Sequence, residues 1–157
     1  MKIILDTNCI NFDYFFNKPN TILLLEKYSV IPSKVYIPRI VIDEMINHFV
    51  EDCKKTTNEY NKVSNHFCYL FERDYTPYRI TNRGKYYEEK ILETLKKYKV
   101  DILPYPEVSH MQVVRRDLYN TKPFKKDGTG YRDTLIWESI LELVSSNHED
   151  IIFVTYN

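Results

Sequence analysis

Lys2-Ile3-Ile4-Leu5-Asp6-Thr7-Asn8 opens the chain with three large aliphatic residues cut off by an acid and two turn-forming polar residues. A run this short, apolar on both of its faces, predicts a buried strand of the kind found in the middle of a parallel sheet. Ligands of open α/β sheets gather at the carboxyl ends of the strands. Asp6 therefore stands where chemistry is expected.

Outward from this strand, helix and strand patterns alternate. The aromatic loop Phe12 to Phe16 reads as core. Asn20-Thr21 can cap a helix running to Tyr28. Lys34-Val35-Tyr36-Ile37 is a second strand, with Pro38 just inside the start of the next helix. Ile42, Ile46, Phe49, Cys53, Thr56, Tyr60, Val63, Phe67 and Leu70 recur at alternating spacings of four and three. That sustained apolar stripe predicts one long helix from about Arg39 to Glu72. Pro77 and then Gly84 mark a break before a helix from Tyr86 to Tyr98. Val100 to Leu103 is a strand closed by Pro104, and Ser109 can cap a helix through Met111, Val114 and Leu118. A loop from Lys122 to Gly130 leads into a helix from Tyr131 to about Ser145, in which Trp137 reads as a core anchor. Ile151 to Thr155 is the last strand. Strands at 2–6, 34–37, 100–103 and 151–155, joined by helices, predict an α/β fold: three layers, with a mostly parallel four-stranded sheet between helices.

The 157 residues suit a single domain with a real core. Twenty-two basic and 22 acidic side chains cancel, which excludes a uniformly basic nucleic-acid module but not a nucleic-acid enzyme with segregated charge. The three cysteines (Cys9, Cys53, Cys68) lack metal-site spacing and read as reduced thiols in a cytoplasmic protein. No signal peptide or membrane span is evident in the pattern. No Gly-rich loop follows the first strand, no Gly-x-Ser-x-Gly elbow is present, and the four histidines are scattered. Nucleotide-binding folds and serine or cysteine nucleophiles thus have little support.

Carboxylates are the better candidates. Asp6 ends a strand, Glu44 lies early in the long helix, and Asp133 lies in the first turn of a late helix. Each taken singly could be a turn residue or a favourable charge at a helix start. Together they begin three elements that could surround the carboxyl end of one sheet. Carboxylates forced together need protons or a cation. Their hard oxygens suit Mg²⁺ or Mn²⁺, and two such ions about 4 Å apart promote phosphodiester hydrolysis.

Ile3-Ile4-Leu5-Asp6-Thr7-Asn8 resembles the opening of a PIN domain, and Ile37-Pro38-Arg39-Ile40-Val41-Ile42-Asp43-Glu44-Met45 resembles that family's strand, proline and acid-bearing helix. Gly130-Tyr131-Arg132-Asp133-Thr134-Leu135-Ile136-Trp137 is similar to a Gly-aromatic-basic-Asp-x-Leu-Ile-Trp signature of a bacterial branch, and Phe153 to Asn157 to the family's last catalytic strand. The resemblance implies a metal-dependent endoribonuclease with Mg²⁺ or Mn²⁺ held by Asp6, Glu44, Asp133 and Asn157. Thr7, Asn8 and Thr155 would orient those groups. Asn157 stands where the family usually has an acid; an amide oxygen can ligate but brings no charge. The alternative is accordingly a weak or inactive PIN-like module that binds RNA or protein. A phosphatase or small-molecule hydrolase using the same acids stays open on residue types.

Between Met111 and Arg132 stand Arg115, Arg116, Lys122, Lys125, Lys126 and Arg132, against Asp117 and Asp127. Such a cluster can be a solvated face or can bind backbone phosphates without reading sequence. Its run into Asp133 favours phosphate contact through Arg116, Lys122 and Arg132. The expected partners are RNA, single-stranded or structured, as substrate, an antitoxin or other regulatory protein, and a second copy in a homodimer, with no membrane. The 157 residues read as one such domain that stops where the metal site would be completed, so either the strand end suffices or the domain is shortened at its C-terminal end.

Overall fold

The computed structural model describes residues 1–10, 13–30, 34–145 and 150–155. Among them the order is β1 (Lys2–Leu5), α1 (Thr7–Ile10), α2 (Pro19–Val30), β2 (Lys34–Pro38), α3 (Arg39–Leu70), α4 (Arg83–Lys97), β3 (Asp101–Leu103), α5 (His110–Leu118), α6 (Tyr131–Ser145) and β4 (Ile151–Val154). The strands form one parallel sheet in the order β3-β2-β1-β4, with helices around it, the architecture expected from the sequence. β1 is buried along its whole length because it is central and covered on both faces. The chain moves outward from β1 to β2 and β3, then returns to place β4 on β1's other side. That reversal opens a crevice at the carboxyl ends of β1 and β4. No helix among the described residues is long and apolar enough to cross a membrane.

Several local expectations need correction. The residues after Asp6 form a short helix, α1, rather than entering a loop directly. Pro38 is not inside the helix. It is the last residue of β2, paired with Leu103, and its extended backbone (φ −60°, ψ 140°) serves as the N-cap of α3. Strand therefore passes into helix with no loop between. α4 starts at Arg83, and Gly84 lies within it instead of breaking it. A Cβ at Gly84 would stand 3.3 Å from Val50 Cγ2, so the missing side chain lets α4 approach α3 closely. Phe16 of the aromatic loop is buried, but Phe15 is exposed; Phe12 lies outside the described residues.

The long helix α3 has 32 residues, which corresponds to about 48 Å. Its proximal apolar residues enter the core: Ile42 and Phe49 are buried, and Phe49 stacks on Tyr87 of α4 with ring centroids 4.3 Å apart. The distal part of the same stripe is not core. Tyr60, Val63, Phe67 and Leu70 are 59%, 70%, 47% and 61% exposed. Strands of three to five residues cannot cover a helix of that length. The segment after α3 folds back against the helix at one point, where Tyr78 meets Tyr60 edge-on with ring centroids 6.2 Å apart and its backbone exchanges two hydrogen bonds with Asn61 at 2.9 and 2.8 Å, which leaves these four residues largely uncovered. Trp137 is also not a core anchor, being 42% exposed. α6 turns Thr134, Ile136, Ser139 and Ile140 inward, and the tryptophan lies off that face. Ser109 caps α5, its hydroxyl accepting the Gln112 N–H at 3.2 Å.

Candidate active site

The register of β1 and β4 places Leu5 opposite Val154, so the next residues, Asp6 and Thr155, meet at the sheet's carboxyl edge. The Asp6 N–H donates to the Val154 carbonyl at 3.0 Å. Asp6 Oδ2 accepts the Thr155 hydroxyl at 2.6 Å, and Oδ1 accepts the Thr7 N–H at 2.7 Å. Thr7, buried at the start of α1, also donates its hydroxyl to Glu44 Oε2 at 2.5 Å. One residue thus hydrogen-bonds to two carboxylates, through its N–H and its O–H. Glu44 reaches this point because β2 runs straight into α3, which begins beside the carboxyl end of β1.

The third candidate acid comes from α6. Asp133 lies in its first turn, exposed, with no hydrogen-bond or ion-pair partner among the described residues. A negative charge is favoured there by the helix dipole. Its neighbour Arg132 reaches across instead: Nη1 stands 3.0 Å from Glu44 Oε1. The turn before α6 is tightly built. Gly130 has φ +114°, and a Cβ there would lie 2.5 Å from the Pro123 carbonyl oxygen. Asp127 accepts the Thr129 N–H and hydroxyl, and these bonds hold its carboxyl below the usual carboxylate range.

Among the basic candidates, Lys122 is exposed. Arg116 is engaged, pairing with Glu138 at 2.7 Å and donating to the Lys122 carbonyl at 3.2 Å. It therefore ties α5 to α6 and to the loop before Asp133. Asn8 is exposed on α1, and Asn157 lies outside the described residues. His48 is half-buried on α3. Cys9 donates its thiol to the Val154 carbonyl at 2.6 Å, and burial pushes the thiol pKa up, which suits packing and not nucleophilic chemistry.

One supporting network was not anticipated. Arg39 pairs with Asp43 at 2.9 Å and with Glu88 at 2.6 Å, and the Tyr105 hydroxyl donates to Asp43. The bond to Asp43, followed by burial, pushes the Tyr105 pKa up to about 12. The network fastens the first turn of α3, beside Glu44, to α4 and to the segment after β3. Only the i,i+4 spacing of Arg39 and Asp43 signalled it in sequence.

A family model described as PIN domain matches residues 3–157. The chain belongs to the PIN domain family. Neither a curated protein nor a solved structure matches it. PIN domains are generally metal-dependent nucleases, usually working with Mg²⁺ or Mn²⁺, so this PIN domain can be tested against such an ion. Among the described residues no three His, Cys, Asp or Glu side chains form a group able to hold a metal. Two carboxylates do converge, Asp6 and Glu44 on Thr7, and each carboxylate oxygen keeps a free lone pair beyond the bonds given above. Mg²⁺ is commonly held by one or two carboxylates, with waters and substrate phosphates completing its shell. Arg132 already sits on Glu44 as a positive stand-in. The donor set of this PIN domain therefore fits a hard divalent cation at Asp6 and Glu44. A separate groove of 540 Å³ lies between α5 and α6, lined by Glu107, Gln112, Glu138 and Glu142. Its acidic lining suits no phosphate chain.

Proposed function

We propose that this PIN domain is a divalent-metal-dependent endoribonuclease. The observation that carries the reading is Thr7 joined to both Asp6 and Glu44 at the sheet's crevice, in a chain whose residues 3–157 match the family. Asp6 and Glu44 would hold Mg²⁺ or Mn²⁺, with Asp133 and Asn157 as further oxygen donors. When bound, the ion supplies the positive charge that acidifies an attacking water and balances the leaving oxygen. Thr7 and Thr155 fix the carboxylate orientations, as hydrogen-bonded neighbours of metal ligands commonly do, and Asn8 lies beside them. Lys122, on the loop entering α6, and Arg132 would grip the RNA backbone, and Arg116 would set the loop's position through the Lys122 carbonyl. The Gly-aromatic-basic-Asp segment belongs to this reading as the element that carries Asp133. An antitoxin-like regulator or a second copy would act by covering the same crevice.

A second reading has its own support. Glu44 is already neutralised by Arg132, and no three-acid group forms among the described residues. A PIN-like module that binds RNA without cutting it would look the same. An RNA cleavage assay with Mn²⁺ or Mg²⁺ separates them. Cleavage lost in Asp6→Asn and in Asp133→Asn supports the nuclease. Cleavage that survives both substitutions overturns it, and RNA binding without Mn²⁺ binding favours the module.

A further inference from the structure

We propose that Arg132 is an internal counter-cation of the Asp6–Glu44 pocket, which leaves Glu44 for a substrate phosphate when a divalent ion enters. This rests on the metal-dependent reading above. Arg132 bypasses Asp133, its own exposed neighbour, and pairs 3.0 Å away with Glu44 on another helix. The two partners are also unequal. The Glu44 side chain is 13% exposed and held by Thr7, whereas that of Arg132 is 61% exposed. The acid is therefore fixed, and the guanidinium can swing outward without unpacking the core.

A divalent ion and a guanidinium compete for the same carboxylate oxygen and repel each other. Displaced from Glu44, the guanidinium fork is matched to phosphate oxygens. Ion and polyanion then assist one another, and that coupling is reciprocal: each strengthens the other by the same factor. In the absence of both, the ion pair offsets one of the pocket's two carboxylate charges and leaves that of Asp6 for the incoming ion.

The test is calorimetric titration of Mn²⁺ into the wild-type chain, Arg132→Gln, Arg132→Lys and Lys126→Gln, with and without a single-stranded DNA oligonucleotide carrying the same phosphates. Losing a competitor in a half-exposed pair should tighten Mn²⁺ binding about fivefold in Arg132→Gln. Arg132→Lys should fall between, and Lys126→Gln, which removes an exposed charge from the same segment, should match wild type. The oligonucleotide should tighten Mn²⁺ binding in wild type and much less in Arg132→Gln. Mn²⁺ affinity in Arg132→Gln that is no higher than in Lys126→Gln overturns the proposal. Asp6→Asn tests the underlying reading separately: if it binds Mn²⁺ like wild type, the acid pocket is not the ion site, whatever Arg132 does.

Discussion

Thr7→Val removes one atom's worth of chemistry from the centre of the site. Valine fills the same space, so no cavity opens, but the hydroxyl bonded to Glu44 Oε2 at 2.5 Å is lost. A hydrogen bond to a charged group contributes about 1.5–3 kcal/mol. Glu44 keeps Arg132 on its other oxygen, so the lower end applies, and the expected loss is about 1.5 kcal/mol. For a domain of this size that lowers Tm by about 3–6 °C. The backbone N–H of Thr7 still holds Asp6, so the two carboxylates lose their link without losing both anchors. Groups that orient metal ligands typically affect affinity tenfold or more, so Mn²⁺ should bind about tenfold more weakly. Urea unfolding followed by circular dichroism gives the first number and calorimetry the second. Thr7→Ser keeps the hydroxyl and should recover most of the Mn²⁺ affinity. If Thr7→Val is within about 0.5 kcal/mol of wild type and binds Mn²⁺ equally well, the linkage through Thr7 is wrong.

Other outcomes follow from single contacts. Gly130→Ala places a methyl 2.5 Å from the Pro123 carbonyl at a positive φ, and should cost more than about 2 kcal/mol in urea unfolding. Tyr87→Phe removes a fully buried hydroxyl with no hydrogen-bond partner among the described residues, so stability should be unchanged or raised; a loss above about 1 kcal/mol would reveal a missed partner. Tyr105 has its pKa raised from 10.0 to about 12 by the bond to Asp43, so that bond's contribution is complete below pH 10 and disappears as pH rises through 12. The gap in urea midpoint between wild type and Tyr105→Phe should therefore be constant from neutral pH to about 9 and shrink above it; a gap that widens there refutes the sign.

Much of the fold was legible because the informative features were local. Ile3-Ile4-Leu5 before Asp6 specified a central strand and its functional end, and the apolar run at 151–154 specified its partner. Periodicity recognised α3 as one helix but could not say what covers it, since spacing records an apolar stripe and not its neighbour. Hence Phe49 is core and Val63 is not, though both lie on one stripe. Trp137 misled for the converse reason: a large aromatic in an apolar helix suggests burial, but the inward ridge of α6 uses Thr134 and Ser139. The acids were visible as residue types at element starts. Their linkage was not, because the Thr7–Glu44 and Arg132–Glu44 contacts span 37 and 88 positions and depend on strand order. Asn157, the remaining candidate ligand, lies outside the described residues.

The central claim is that Asp6 and Glu44 form a divalent-cation site. A crystal grown with Mn²⁺ and measured at a wavelength where manganese scatters anomalously tests it most directly. The account predicts an anomalous peak within coordination distance of Asp6 and Glu44 oxygens, with Arg132 displaced from Glu44. No peak there at saturating Mn²⁺, with the Arg132–Glu44 pair intact, would contradict it.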